Sequence, residues 1–369
     1  MTTSPPVPAR RSRRTFITVS VLVFVALALV TISPLRGYIT GAATTGRQPD
    51  ETSYVIAAAG DIVCSSRMER QAQERVRRLP TSDSGVPSEP RPARSCAARE
   101  TADVLRELAP ATVLPLGDVQ YECGEAAEFG HSYSATWGQF KSVSRPVVGN
   151  HEYGSACGQS DASGYFDYFG PAAGEKGWYS FDLGGWHFIA LNSQCHSGRA
   201  GESVGGCDLA SEQYRWLQAD LAAHKNACTL AYWHEPRFTS GQHGPSLQMA
   251  DIWNELVANK VDVVLSAHNH IYERFDYIGH TDAPRDTGQD PESIVETPNL
   301  DPQGIQEFVV GTGGRNHVRL NKPPLVGEVV RDDSSFGVLS MTLKPGSYDW
   351  EFMPVKGSTF QDHGSAKCR

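Results

Sequence analysis

The sequence predicts a layered α/β fold, and two observations carry that prediction. Amphipathic helical stretches recur, each followed by a short apolar run: Ser211–Lys225 leads into Cys228–Trp233, and Leu247–Asn259 leads into Val261–Ser266. Helix-then-strand units repeated in this way build sheets covered by helices. The second observation is composition: 369 residues, 40% hydrophobic and 20% charged, are ordinary for a globular chain with a sizeable core. The net charge of -9 argues against a surface built to grip nucleic acid, because such binding is driven largely by neutralising phosphates.

In chain order, Arg10–Arg14 reads Arg-Arg-Ser-Arg-Arg, and Thr15–Leu35 then carries no charge. That pattern is an export or membrane signal. Residues 12–17 resemble the twin-arginine export signal; an ordinary anchor with its basic flank inside is the other reading. Both place the remainder outside the cytoplasm. The uncharged run is long enough to span a bilayer, and Gly41, Ala42 and Ala43 offer a cleavage site, so anchored and released forms both stay open. The chain thus divides into an export signal or N-terminal membrane anchor (1–35), a linker (36–52) and one domain (53–369) with loop insertions near 77–99 and 280–303.

Tyr54–Ala59 is the first strand, ending at Gly60-Asp61. Between Arg67 and Arg99 the chain is rich in Arg, Glu, Pro and Ser, and Pro80–Pro92 reads as a mobile loop. Val104, Leu105 and Leu108 stand at helical spacing and Pro110 stops that helix. The apolar run Ala111–Leu116 then delivers Gly117-Asp118-Val119-Gln120-Tyr121, and Pro146–Val148 is a short strand delivering Asn150 and His151. Trp178–Leu183 and Trp186–Leu191, joined at Gly184-Gly185, read as a hairpin, with His187 inside it in a structural role. The glycines of Gly311–Gly314 bring backbone close to a site or turn it sharply, and both uses stay open. Phe336–Leu343 and Tyr348–Phe352 form a last hairpin that closes the domain.

Eight cysteines include no Cys-x-x-Cys pair, so a structural zinc site has little support and disulfides in an oxidising compartment fit. Cys195 with Cys207 is the pairing to name first, because both lie in one Gly- and Ser-rich loop. The other cysteines cannot be paired from sequence.

Chemistry-bearing residues sit at the ends of these apolar runs. Asp61, Asp118, Tyr121, Asn150, His234, His268 and His270 are hard oxygen or imidazole donors, and each follows a run that reads as a strand. His268 and His270 project to one side of an extended segment, because strand side chains repeat every two residues. Seven donors, with one carboxylate bridging, suit two metal ions.

The order Gly-Asp, Gly-Asp-x-x-Tyr, Gly-Asn-His-Glu, a lone His and His-x-His resembles the calcineurin-like metallophosphoesterases, and within them the purple acid phosphatases. The resemblance runs from about Tyr54 to the C-terminus. It implies an αββα sandwich, with two mixed β-sheets flanked by helices. It also implies a trivalent iron on Asp61, Tyr121 and His270, and a zinc, manganese or ferrous ion on Asn150, His234 and His268, with Asp118 bridging. His151 and His243 match non-ligand histidines that contact the phosphate or protonate the leaving group. Two departures stand out: Asp61 is followed by Ile62-Val63 where much of the superfamily has Asp-x-His, and Ala267 stands where a glycine is usual.

The function implied is hydrolysis of a small phosphate ester by an exported acid phosphatase using a metal-bound hydroxide. The ions outweigh two carboxylates and a tyrosinate, leaving a positive site for an anionic ester. A phosphodiesterase acting on nucleotides or lipid head groups, and a metal-containing surface protein without turnover, are the competing readings.

Overall fold

The computed structural model describes residues 53–68, 70, 74, 96–154, 157, 161–194, 206–226, 228–282 and 289–369. All lie within one unit, Asp50–Arg369. In chain order the strands are β1 (Tyr54–Ala59), β2 (Thr112–Pro115), β3 (Tyr179–Leu183), β4 (Trp186–Ala190), β5 (Cys228–Tyr232), β6 (Val263–Ser266), β7 (Tyr272–Ile278), β8 (Ile305–Val310), β9 (Glu328–Asp332), β10 (Gly337–Lys344), β11 (Ser347–Pro354) and β12 (His363–Lys367). The helices that matter below are α1 (Ala98–Leu108), α2 (Asn150–Tyr153), α3 (Ser163–Phe169), α4 (Glu212–Ala223) and α5 (Ala250–Ala258).

The strands form two mixed sheets, one ordered β12-β11-β10-β1-β2 and the other β3-β4-β5-β6-β8-β7-β9. In the second, β4, β5, β6 and β8 run parallel and are buried along their length. Burial on both faces explains why β5 and β6 read as nearly continuous apolar runs rather than alternating ones, while β4 and β8 bury the polar His187, Gln306 and Glu307 among apolar neighbours. The two sheets face each other across an aromatic layer: Trp186 packs edge-on to Tyr348 at 5.6 Å, and Phe308 to Trp350 at 5.7 Å. Each such ring removed from water contributes roughly 1.5–3 kcal/mol.

Helices cover the outside. α1 turns Thr101, Ala102 and Leu105 inward against β10 and β11. Ser211 caps α4 by accepting the Tyr214 N–H at 3.1 Å, and the Tyr214 hydroxyl reaches Glu255 on α5 at 2.6 Å. The αββα sandwich expected from the sequence is the observed architecture.

Several elements differ from the sequence reading. Pro146–Val148 is not a strand; Val147 makes only an isolated bridge to Leu116, since three residues led by a proline cannot sustain a ladder. β7 is not legible as a strand because it carries three charges, of which the two turned inward are partnered: Glu273 accepts from Thr239 and Ser240, and Arg274 pairs with Asp362 at 2.8 Å, while Asp276 is exposed. β9 and β12 were likewise not expected. β12 follows the hairpin thought to close the domain; its residues, His-Gly-Ser-Ala-Lys, have no strand pattern and gain order by pairing with β11.

Disulfides join Cys64 to Cys96, Cys123 to Cys157 and Cys228 to Cys368. The pairing named first, Cys195 with Cys207, falls on Cys195, outside the described residues. The N-terminal signal, the linker and Pro80–Pro92 lie outside them too.

Candidate metal centre

The parallel strands explain why distant residues meet. β1 and β2 pair in register, Ala59 opposite Pro115, so Asp61 and Asp118 leave the first sheet side by side. β5 and β6 pair with Tyr232 opposite Leu265, so His234 and His268 leave the second sheet together. The Gly60 N–H donates to Val310 O at 2.9 Å, joining the same ends of the two sheets. A ligand site outside the carboxyl ends of parallel strands is the general outcome of such folds.

All seven expected donors converge there. Tyr121 Oη lies 2.7 Å from Asp61 Oδ1, 2.9 Å from Asp118 Oδ2 and 3.1 Å from His270 Nε2. On the other side, His234 Nε2 lies 3.4 Å from Asp118 Oδ1, 3.1 Å from Asn150 Oδ1 and 3.3 Å from His268 Nδ1. Asp118 touches both groups. Asp118, His234 and His268 together bring metal-ligating atoms within 4.8 Å of one another.

Backbone strain marks the same place. Asp61, Asp118 and His268 adopt positive φ (56°, 46° and 65°), a conformation that costs a non-glycine residue roughly 1–2 kcal/mol. Gly117 has φ +84°, and a Cβ there would stand 2.6 Å from His234 Nδ1. The chain bends this sharply to aim side chains at one point.

The donor set fits a metal centre. One phenol proton cannot serve the three acceptors around Tyr121 Oη, and Asp61 Oδ2 is buried without a hydrogen-bond partner. Crowded acceptors and an orphaned carboxylate oxygen are what a cation satisfies. Burial, with Asp118 and Asp61 beside it, holds the Tyr121 phenol well above its ordinary value, so positive charge is needed to make it a phenolate. Burial opposes charge on His234, but Asp118 overcomes it and raises the imidazole to about 10. Burial, reinforced by His234 and opposed by Glu235, lowers His268 to about 4, which leaves that ring neutral with a lone pair to offer.

The two non-donor histidines border the cluster. His151 lies with its ring 4.3 Å from that of Tyr121 and its Nδ1 2.6 Å from Glu122 O, which turns Nε2 toward Asp118 at 3.9 Å. His243 stands with its ring 5.2 Å from His268 and 5.7 Å from His270, its side chain 31% exposed. His187 lies elsewhere, its ring nitrogens 2.9 Å from Asp182 and 2.8 Å from Asp220, as suits a structural histidine. Asp182, His187 and His224 also approach one another. Their two imidazoles, however, stack at 4.2 Å and 13°, which prevents both lone pairs from meeting in one ion.

Glu152 belongs to the site although it is not one of the seven donors. Buried within α2, it accepts the N–H groups of Asp118 (2.9 Å), Val119 (2.8 Å), Gln120 (3.1 Å) and Gly149 (2.8 Å). Its place after Gly149-Asn150-His151 was the one available signal, and a backbone-binding role has no sequence signature.

The profile of the calcineurin-like phosphoesterases matches residues 54–272, more than half of the chain. The chain belongs to the calcineurin-like phosphoesterases. Among curated members it is 31% identical over 169 residues to purple acid phosphatase 22 of Arabidopsis thaliana, covering 43% of this chain and 32% of that protein. It is 28% identical over 172 residues to acid phosphatase type 7 of Mus musculus, covering 39% and 34%. The chain therefore spans about a third of the length of these relatives. Among solved structures, a purple acid phosphatase from yellow lupin (Lupinus luteus) seeds superposes with a TM-score of 0.55 at 17% identity, covering 86% of this chain and 54% of that one. GAP50, the anchor in the inner membrane complex of Plasmodium, superposes with a TM-score of 0.50 at 12% identity, covering 86% and 89%. At these identities the likeness is one of fold.

Proposed function

We propose that this calcineurin-like phosphoesterase is an exported phosphomonoesterase of the acid phosphatase type, acting on small phosphate esters with two metal ions. The observation that carries the reading is the pair of donor groups around Asp118. Asp61, Tyr121 and His270 would hold a trivalent iron; Asn150, His234 and His268 would hold zinc, manganese or ferrous iron; Asp118 would serve both. When bound, such ions supply positive charge for the phosphoryl oxygens and acidify water to give a nucleophile.

The protein's own residues do the rest. Glu152 holds the Asp118–Gln120 backbone in place, and Leu116 O, 2.8 Å from His234 Nδ1, orients that ring. His151 and His243 border the cluster on the side open to solvent, where either can give a proton to a departing alkoxide. Among the described residues, all three disulfides fit an oxidising compartment, which supports export. Among those same residues no helix is long and apolar enough to cross a membrane, so attachment to a bilayer would rest on residues 1–35.

Elemental analysis, a visible spectrum and a phosphate-release assay on the purified protein test the reading together. The expected result is two ions per chain, turnover of p-nitrophenyl phosphate above its bis ester, and an absorption band that disappears in Tyr121→Phe. Preference for the bis ester would make it a phosphodiesterase. Two ions with no hydrolysis of any ester would overturn the enzyme reading, and a colourless, active di-zinc protein would overturn the iron alone.

A further inference from the structure

Three of the seven clustered residues are held by one short segment, Gly311–His317, Asp61 through its backbone carbonyl and Tyr121 and His270 through their side chains, and the segment offers no donor to the cluster itself. The Arg315 N–H donates to Asp61 O at 2.7 Å. Its guanidinium lies over the Tyr121 ring, 4.5 Å from the centroid, and its Nη2 pairs with Glu122 at 3.1 Å. His270 Nδ1 lies 2.6 Å from Asn316 O, and His317 Nδ1 lies 2.9 Å from His270 O, so the two stretches clasp each other. The His317 ring is itself fixed by stacking on Phe336 at 4.1 Å.

The glycines make this approach feasible. A Cβ on Gly311 would press on the Asn269 carbonyl and stand 2.7 Å from Asp61 Oδ2. The Gly313 N–H donates to Gly60 O at 2.9 Å, which stitches the segment to the turn that carries Asp61. The segment thus both turns sharply and comes close, so the two uses the sequence left open are one. Asn150 and His234 take their hold from elsewhere, His234 from Leu116 O at 2.8 Å and Asn150 from the start of α2, while His268 shares its turn with His270.

We infer that Gly311–His317 sets the Asp61–Tyr121–His270 half of the centre separately from the other half, with Arg315 and His317 as its positioning residues. This rests on the two-ion reading above. The physical grounds are general. A hydrogen bond on the far nitrogen of an imidazole fixes which nitrogen faces an ion and at what angle. A guanidinium on an aromatic face favours negative charge on that ring and locks its plane. Removing the cation raises the energy of electrons on the ring, so a ring-to-metal absorption band moves to longer wavelength.

The test uses the full chain loaded with iron and zinc, as wild type, Arg315→Gln, Arg315→Lys and His317→Asn. Ion content is followed by elemental analysis during dialysis against increasing chelator, with the visible spectrum as a second readout. Arg315→Gln and His317→Asn should release one ion at roughly 10- to 100-fold lower chelator than wild type while holding the other as before. The band should shift to longer wavelength in Arg315→Gln and recover in part in Arg315→Lys. Variants that hold both ions as tightly as wild type, or lose both in parallel, overturn the inference and leave the two-ion reading standing. A wild-type chain that takes up fewer than two ions overturns that reading and this inference with it.

Discussion

Glu152 Oε2 accepts the Asp118 N–H at 2.9 Å, so the carboxylate at the centre of the cluster is held through its backbone by another buried carboxylate. Asp118 has φ 46°, and four N–H bonds to one side chain are what keep that strained turn closed. Glu152→Ala would leave four donors without their acceptor and should cost on the order of 3 kcal/mol, read as a lower denaturation midpoint. Ion content should fall with it. A Glu152→Ala protein of wild-type stability and ion content would show that the turn holds itself.

His151 and His243 should separate by leaving group. If either protonates the departing oxygen, its Asn variant loses about 100-fold in kcat on an alkyl phosphate and much less on p-nitrophenyl phosphate, whose leaving group needs no proton. An equal loss on both substrates would mean that the histidine binds phosphate instead.

Stability should be greatest at mildly acidic pH. Burial raises Glu307 to about 8 and Glu273 to about 7, both from an ordinary value of 4.5. Between the ordinary and raised values the folded chain holds protons that the unfolded chain has released, so stability falls as pH rises through that window. His187 acts in the same direction: burial opposes its charge, but Asp220 and Asp182 raise it above 6.5, and its contribution is lost as pH climbs through the raised value. Thermal midpoints measured from about pH 5 to about pH 8 should decline, and the slope should flatten in Glu307→Gln. An unchanged slope in that variant would assign the effect to other groups.

The Cys228–Cys368 bond closes the longest described loop, its ends 140 positions apart, and fastens the chain just after β12 to the start of β5. Loop-closure entropy sets an upper estimate of about 4–5 kcal/mol for its contribution. Replacing both cysteines by serine should lower the thermal midpoint by roughly 5–10 °C and expose β12 to proteases first. Arg369 also bonds Asp262 and Val261 next to β6, so a variant of unchanged midpoint would show that these contacts suffice.

The sequence by itself determined the strands that end in chemistry. Apolar runs at Tyr54, Ala111, Cys228 and Val261 are local patterns, and a donor placed just after such a run is legible without knowing what it meets. That is why Asp61, Asp118, Tyr121, His234, His268 and His270 could be named together. Only the tertiary structure decided how they are brought together and held. The parallel register of β1 with β2 and of β5 with β6, and the clasp of Gly311–His317 on Asp61 and His270, arise from backbone hydrogen bonds between segments far apart in the chain. Backbone groups are identical in every residue, so the residue order does not say that Glu152 accepts four amides, and Arg315 and Tyr121, 194 positions apart, meet only once the chain is folded. β7 and β12 were missed for a related reason: their charges and small residues are stabilised by partners that folding supplies.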